Sequence, residues 1–140
     1  MSNLYSGIRR IQDQAQRDRC AQRLLAMRQR LAPLRARRSD STLLLATWNI
    51  RDFGAGRLNP SPRLPETFFY LAEIVSCFDL VALQEVNRKL DDFERLVDIL
   101  GPGWDYILTD TTEGTSGNGE RMAFLYRRDK VRFARIAGEI

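Results

Sequence analysis

Two polar residues close two short apolar runs, and their types suit phosphate chemistry. The first run is Leu43-Leu44-Leu45-Ala46-Thr47-Trp48-Asn49 and the second is Leu80-Val81-Ala82-Leu83-Gln84-Glu85. If both runs are strands, Asn49 and Glu85 lie at strand ends, and in open α/β sheets ligands collect outside the carboxyl ends of the strands. An amide and a carboxylate placed there can hold a hard cation and a phosphate. Magnesium prefers an octahedron of oxygens and typically takes only one or two protein carboxylates, leaving positions for water and substrate phosphate. Glu85, with Asn49 beside it, is therefore the candidate metal site, against the plainer reading of Glu85 as half of an ion pair with a nearby Lys or Arg. Arg51, two residues past Asn49, either pairs with a phosphate oxygen or lies solvated.

The elements that must position these groups follow from periodicity. Continuous apolar runs bounded by turn formers suit strands buried on both faces. After the first run, Gly54, Gly56, Pro60, Pro62 and Pro65 force a loop. Pro65 and Glu66 suit a helix start, and Phe68, Leu71, Ala72, Val75 and Phe78 follow helical spacing, so this helix is a crossover feeding the strand at Leu80. A second helix is expected from about Arg88 to Leu100, with Leu90, Phe93, Leu96, Val97 and Leu100 inside and Gly101-Pro102-Gly103 as its stop. Trp104 to Leu108 reads as a strand, 113–119 as a glycine-rich loop, and Met122 to Tyr126 with Val131 to Ile136 as a hairpin. The class is α/β, a mixed sheet with flanking helices.

Upstream, residues 6 to 32 read as a basic amphipathic helix. Ile8, Ile11 and Ala15 form one stripe and Leu24, Met27, Leu31 and Leu34 another, out of phase across Asp18 to Gln22. Pro33 is expected to end or kink it. Arg35 to Thr42 then make a polar linker, dividing the chain into an arm, 1–42, and a body, 43–140. Helices of this kind more often lie on their own domain than serve as a nucleic-acid or membrane arm.

Thr47-Trp48-Asn49-Ile50-Arg51-Asp52-Phe53-Gly54, then Gln84-Glu85-Val86, then Gly119-Glu120-Arg121-Met122-Ala123-Phe124-Leu125-Tyr126-Arg127, resemble in order and spacing the motifs of the deoxyribonuclease-like endonuclease/exonuclease/phosphatase family. The resemblance implies a four-layer α/β/β/α sandwich, of which this chain supplies the first half. It implies magnesium-dependent hydrolysis of phosphate esters, with manganese as a substitute, and nuclease-type cleavage of a phosphodiester in nucleic acid or another ester. In that family the position matching Glu85 binds the metal and the position matching Asn49 orients phosphate or a metal-bound water. The position matching Glu120 braces a catalytic histidine, and the one matching Arg51 contacts nucleic acid in some nucleases.

Departures matter as much. Asn87 and Asn118 stand where pancreatic-type nucleases carry groups that contact the minor groove, which argues against duplex DNA as substrate. No histidine occurs in the chain. The family's histidine, Asp-x-Asn and Ser-Asp-His motifs fall in the second half of the fold. The expectation is a front portion with little turnover alone, whose sheet needs the missing half or self-association to cover it. The rival is a catalytically dead binding domain that uses the basic arm.

Charge is distributed unevenly. Residues 1–42 hold ten arginines against three aspartates, a net +7, while residues 43–140 hold twelve Lys or Arg against fifteen Asp or Glu, a net −3. Such an arm favours anionic partners. Cys20 and Cys77 lack the spacing of a zinc or redox pair, no run is long enough for a membrane span, and no apolar signal segment opens the chain. Two free thiols in a reducing, cytoplasmic compartment are expected.

Overall fold

A computed structural model describes residues 6–54, 62–110 and 119–134. Asp13 starts the first helix by accepting the Gln16 N–H at 2.6 Å, which satisfies one of the donors a helix start leaves unpaired. Helix α1 therefore runs Gln14–Arg35, preceded by a single 3-10 turn at Gly7–Arg10. The continuous helix expected over 6–32 is corrected at both ends. Ile8 and Ile11 belong to the turn and its exit, so the break in phase lies between turn and helix, before Asp18, and Ala15 is exposed. Pro33 lies inside the last turn, and α1 continues two residues past it rather than ending before it.

The body holds β1 (Leu45–Phe53), α2 (Pro65–Val75), β2 (Leu80–Asn87), α3 (Asp91–Leu100), β3 (Trp104–Leu108) and β4 (Glu120–Arg127). The strands form one sheet in the order β1-β2-β4-β3, with β1 and β2 parallel and the other neighbours antiparallel. This is the mixed α/β sheet the periodicity predicts. Residues 131–134 are not strand, so the second arm of the expected hairpin is absent as far as Ala134, and its remainder lies outside the described residues, as does Asn118 with most of the glycine-rich loop.

Helices α2 and α3 cover one face of the sheet. Phe68, Leu71, Ala72 and Val75 of α2 and Phe93, Leu96 and Leu100 of α3 meet Ile50, Phe53, Val81, Leu83, Val86, Ala123 and Leu125. Helix α1 lies on the back of α2 as a third layer, where Ile8, Ile11, Cys20 and Leu24 close over Phe69. Three buried carboxylates line this arm-to-body contact. Glu66 pairs with Arg19 at 3.1 Å, Glu73 with Arg35 at 2.7 Å and Asp79 with Arg38 at 3.5 Å. Their burial requires such partners, because an unpaired charge in the interior costs several kcal/mol. Among the described residues no helix is long and apolar enough to cross a membrane.

Among the described residues no helix covers the other face. Burial on both faces holds for β2, where Val81, Ala82 and Leu83 are all buried, but not for β1, where Leu45, Thr47 and Asn49 alternate outward and Leu45 is 60% exposed. Among the described strands β1 has only one sheet neighbour, which explains the difference. On the same face Leu80, Ile107, Phe124, Tyr126 and Phe133 line a groove of about 670 Å³.

Candidate metal and phosphate site

Strand phase decides where Glu85 points. In β2, Val81 and Leu83 face the helices, so strict alternation would drive Glu85 into the core next. Instead Glu85 adopts a left-handed conformation with φ of 59°, and the phase slips by one residue. Val86 takes the inward position and is fully buried, while the Glu85 side chain turns back toward β1. A matching slip occurs in β1. Ala46, Trp48 and Ile50 face the helices, then Arg51 and Asp52 each take φ of 52°, and Phe53 re-enters the core. Pairing breaks after Asn49↔Gln84 and resumes at Phe53↔Val86. The two bulges thus lie side by side at the carboxyl ends of a parallel pair.

Between them the side chains interlock. Asn49 Nδ2 donates to Glu85 Oε1 at 2.5 Å, and the Asp52 N–H donates to Glu85 Oε2 at 3.0 Å. The Asn49 side-chain oxygen accepts the Arg51 N–H at 3.0 Å. Behind this front, Asp52 is 4% exposed and accepts from Asn87 Nδ2 at 2.7 Å. Arg63 holds the kink from the loop side by donating to the carbonyl oxygens of Arg51 at 2.9 Å and Asp52 at 3.4 Å. Beside it, burial raises the Asp92 carboxyl above its ordinary range, opposed by Arg63 and Arg95. Gly54 is required here, since its φ is 128° and a Cβ would lie 2.9 Å from both Asn87 Cβ and the Lys89 carbonyl oxygen.

Asn49 and Glu85, read from sequence as a pair, are in direct contact. Arg51 follows them on an exposed corner, its backbone engaged by Asn49 and Arg63. Glu120 opens β4 opposite Asn87, which places it at the same end of the sheet, one strand further along. Asp52 and Arg63 form support that motif reading missed, and Asn87, read from sequence only as a departure from pancreatic-type nucleases, joins them by its bond to Asp52. Gly54 was visible as a loop signal, but the left-handed pair ahead of it has no periodicity of its own.

Among the described residues no three His, Cys, Asp or Glu side chains gather into a metal-holding group. What the site offers is the Glu85 carboxylate, partly exposed, and the exposed Asn49 amide, with Asp52 turned inward. A lone carboxylate whose two oxygens accept from Asn49 and Asp52 suits magnesium, which needs few protein ligands, better than zinc, which favours nitrogen and sulfur. No protein-family model matches this chain, and no curated protein matches it.

Proposed function

We propose that the carboxyl ends of β1 and β2 bind magnesium and a phosphate ester, and that the chain is the front portion of a phosphodiesterase of the endonuclease/exonuclease/phosphatase kind, acting in nuclease fashion. One observation carries the reading. Glu85 is turned out of the core by a left-handed kink and set against Asn49, at a cost of about 1–3 kcal/mol for such a backbone. A salt-bridging surface glutamate has no need of that conformation. Strain held by a dedicated shell of Asp52, Asn87, Arg63 and Gly54 is the pattern of a site, since strained backbone gathers where groups must be pre-aimed.

In this reading Glu85 holds the cation, Asn49 orients a phosphate oxygen or a water, and Arg51 supplies positive charge to the ester. Glu120 has the bracing role that the resemblance implies. Magnesium, or manganese in its place, supplies charge to a phosphate oxygen when bound. The proton-handling group is not a histidine of these residues, because the sequence holds none. A general base contributes about 10²- to 10⁴-fold, so turnover by this chain is expected at trace level.

Manganese binding followed by electron paramagnetic resonance is the test. A single site is expected in the native chain, lost in Glu85→Gln and weakened in Asn49→Ala. Equal binding by native chain and Glu85→Gln would remove the reading. Hydrolysis of a generic phosphodiester and of plasmid DNA completes it, where robust turnover lost in Glu85→Gln would show a working site without histidine.

A second reading is favoured by the open sheet face. Leu45 at 60% exposure and the groove along Phe124 and Phe133 suit a binding domain, completed by a further half of the fold or by self-association. Such a domain, with the exposed Arg9, Arg10, Arg30 and Arg37 of the arm, would bind nucleic acid with steep salt dependence and ignore manganese.

A further inference from the structure

Strand β1 is an edge of the sheet, paired to β2 alone among the described strands. The Leu44 carbonyl accepts the Asp79 and Leu80 N–H groups at 2.8 and 3.3 Å, so Leu44, Ala46 and Trp48 turn their backbone groups to β2. Peptide groups alternate along a strand, and Leu43, Leu45 and Thr47 therefore direct N–H and C=O outward, where no described residue bonds to them. Such an edge is a template for another strand unless lysine, proline or a bulge blunts it. From Leu43 to Asn49 the chain carries no charge, no proline and no glycine, and the bulge begins only beyond Asn49. Leu43 and Leu45 are both exposed.

On the helix side the same edge is underfilled. Ala46, Trp48, Ile74 and Phe78 line a gap of about 180 Å³ beside β1 and α2. Small-molecule sites begin at about 300 Å³ and add convergent polar groups, so this apolar gap suits side chains rather than a ligand. Ala46 is the middle residue of the run 43–49 and its smallest. An antiparallel copy of the strand set with Ala46 against Ala46 brings Leu45 opposite Thr47 and Leu43 opposite Asn49, so the outward N–H and C=O groups of both copies meet in hydrogen-bonded pairs. In that register Trp48 of each copy comes opposite Leu44 of the other, at the gap.

We propose that β1 pairs antiparallel with β1 of a second copy of this chain about a two-fold axis at Ala46, joining two four-stranded sheets into one continuous sheet. A two-fold contact uses one patch twice and must be self-complementary, a condition met by an uncharged run with a small centre and large apolar flanks. Charge neither opposes the pairing nor calls for a partner of opposite sign. The groove along Phe124 and Phe133 stays open in such a dimer, and Glu85 takes no part in the contact.

Sedimentation equilibrium of the full chain in EDTA tests this. A monomer–dimer equilibrium in the micromolar range is expected, since one strand pairing buries less than the roughly 1,200–2,000 Å² of a standard interface. Thr47→Pro deletes an outward N–H and, on an edge strand, spares the bonds to β2. The axis doubles that loss, so dimerisation should weaken about tenfold. Leu45→Lys should weaken it as well by placing charge on the edge. Two further measurements do not depend on these variants folding. Amide exchange at Leu45 and Thr47 in the native chain should slow as protein concentration rises. Ala46→Cys should form an intermolecular disulfide on mild oxidation, because a non-hydrogen-bonded pair holds its Cα atoms about 4.5 Å apart, within disulfide range. Cys20 and Cys77 are fully buried and do not compete. Glu85→Gln should dimerise as the native chain does, so failure here and failure of the metal site are separable. A monomer at every concentration, dimerisation untouched by folded Thr47→Pro and Leu45→Lys, or a disulfide at Phe124→Cys on the open face in place of Ala46→Cys would overturn the proposal.

Discussion

The two ends of the sheet are held together by opposite means. At the carboxyl ends of β1 and β2 the backbone is distorted, with Arg51, Asp52 and Glu85 at φ of 52°, 52° and 59°, and amide–carboxylate bonds keep it so. At the far end α1 and α2 finish in ordinary right-handed conformations, only a glycine, Gly101, takes a positive φ, and guanidinium–carboxylate pairs around Glu73 and Asp79 do the holding. These devices fail differently. A strained backbone is retained only where its surroundings over-determine it, so its loss is local. A buried ion pair contributes little net stability while intact, yet removing one partner strands a charge. The comparison teaches that side-chain aim is concentrated at the first end and attachment of the arm at the second.

The sharpest way to break that contrast is at Arg35. Arg35→Ala leaves Glu73 buried at 1% exposure without its cation and is expected to cost about 3–5 kcal/mol in urea denaturation. Replacing both partners together, as Arg35→Met with Glu73→Leu, should recover most of that loss. A double variant as unstable as the single one would mean that the pair contributes more than mutual neutralisation.

Gly54 probes the strained end. Gly54→Ala must place a Cβ 2.9 Å from the Lys89 carbonyl at φ of 128°, and about 1–3 kcal/mol of destabilisation is expected in thermal melts, with weaker manganese binding as Asn87 is pushed from Asp52. Glu85→Gly should do the reverse. Glycine removes the left-handed penalty, so stability should hold or rise by up to about 1 kcal/mol while manganese binding disappears. A marked loss of stability would show that the bonds from Asn49 and Asp52 serve the fold rather than the site.

The seam between α1 and α2 belongs to neither end and gives the smallest effect. Burial pushes the Cys20 thiol up to about 11 from an ordinary 9.0, and Cys77 moves the same way for the same reason. A group whose pKa is raised by folding stabilises fully below its unfolded pKa and loses that contribution as pH climbs to the folded one. Stability should therefore fall between pH 9 and about 11, with a shallower fall in Cys20→Ala. An identical slope in the variant would assign the alkaline loss to other groups.

Much of the layer architecture was legible. Phe68, Leu71, Ala72 and Val75 fall on the buried side of α2 as their spacing predicts, and Gly101 stops α3 where the glycine–proline–glycine run says it should. A second stripe on α2 went unread, because Glu66, Phe69 and Glu73 face the arm and two of the three are charged. Hydrophobic periodicity counts only apolar positions, so a helix face sealed by ion pairs is invisible to it. Asp52 and Arg63 were missed for a related reason. Their roles come from hydrogen bonds to a bulge, and a bulge is a break in periodicity.

By itself the sequence determined the mixed α/β class and the helix–strand alternation, because these depend on local spacing and on residue type, whereas the strands it ends at Asn49 and Glu85 run on through bulges to Phe53 and Asn87. The tertiary structure alone decided that Glu85 turns outward, since strict alternation in β2 would bury it. Only pairing of two bulged strands lets Phe53 and Val86 share the core while Asn49 and Glu85 meet beside it. It also decided the fate of the arm's charge. A net of +7 over residues 1–42 reads as an invitation to anions, but the carboxylates of Glu66, Glu73 and Asp79, distant in sequence, fold beneath Arg19, Arg35 and Arg38 and take up part of it. Charge partners separated by dozens of residues are set by packing, and composition cannot show them.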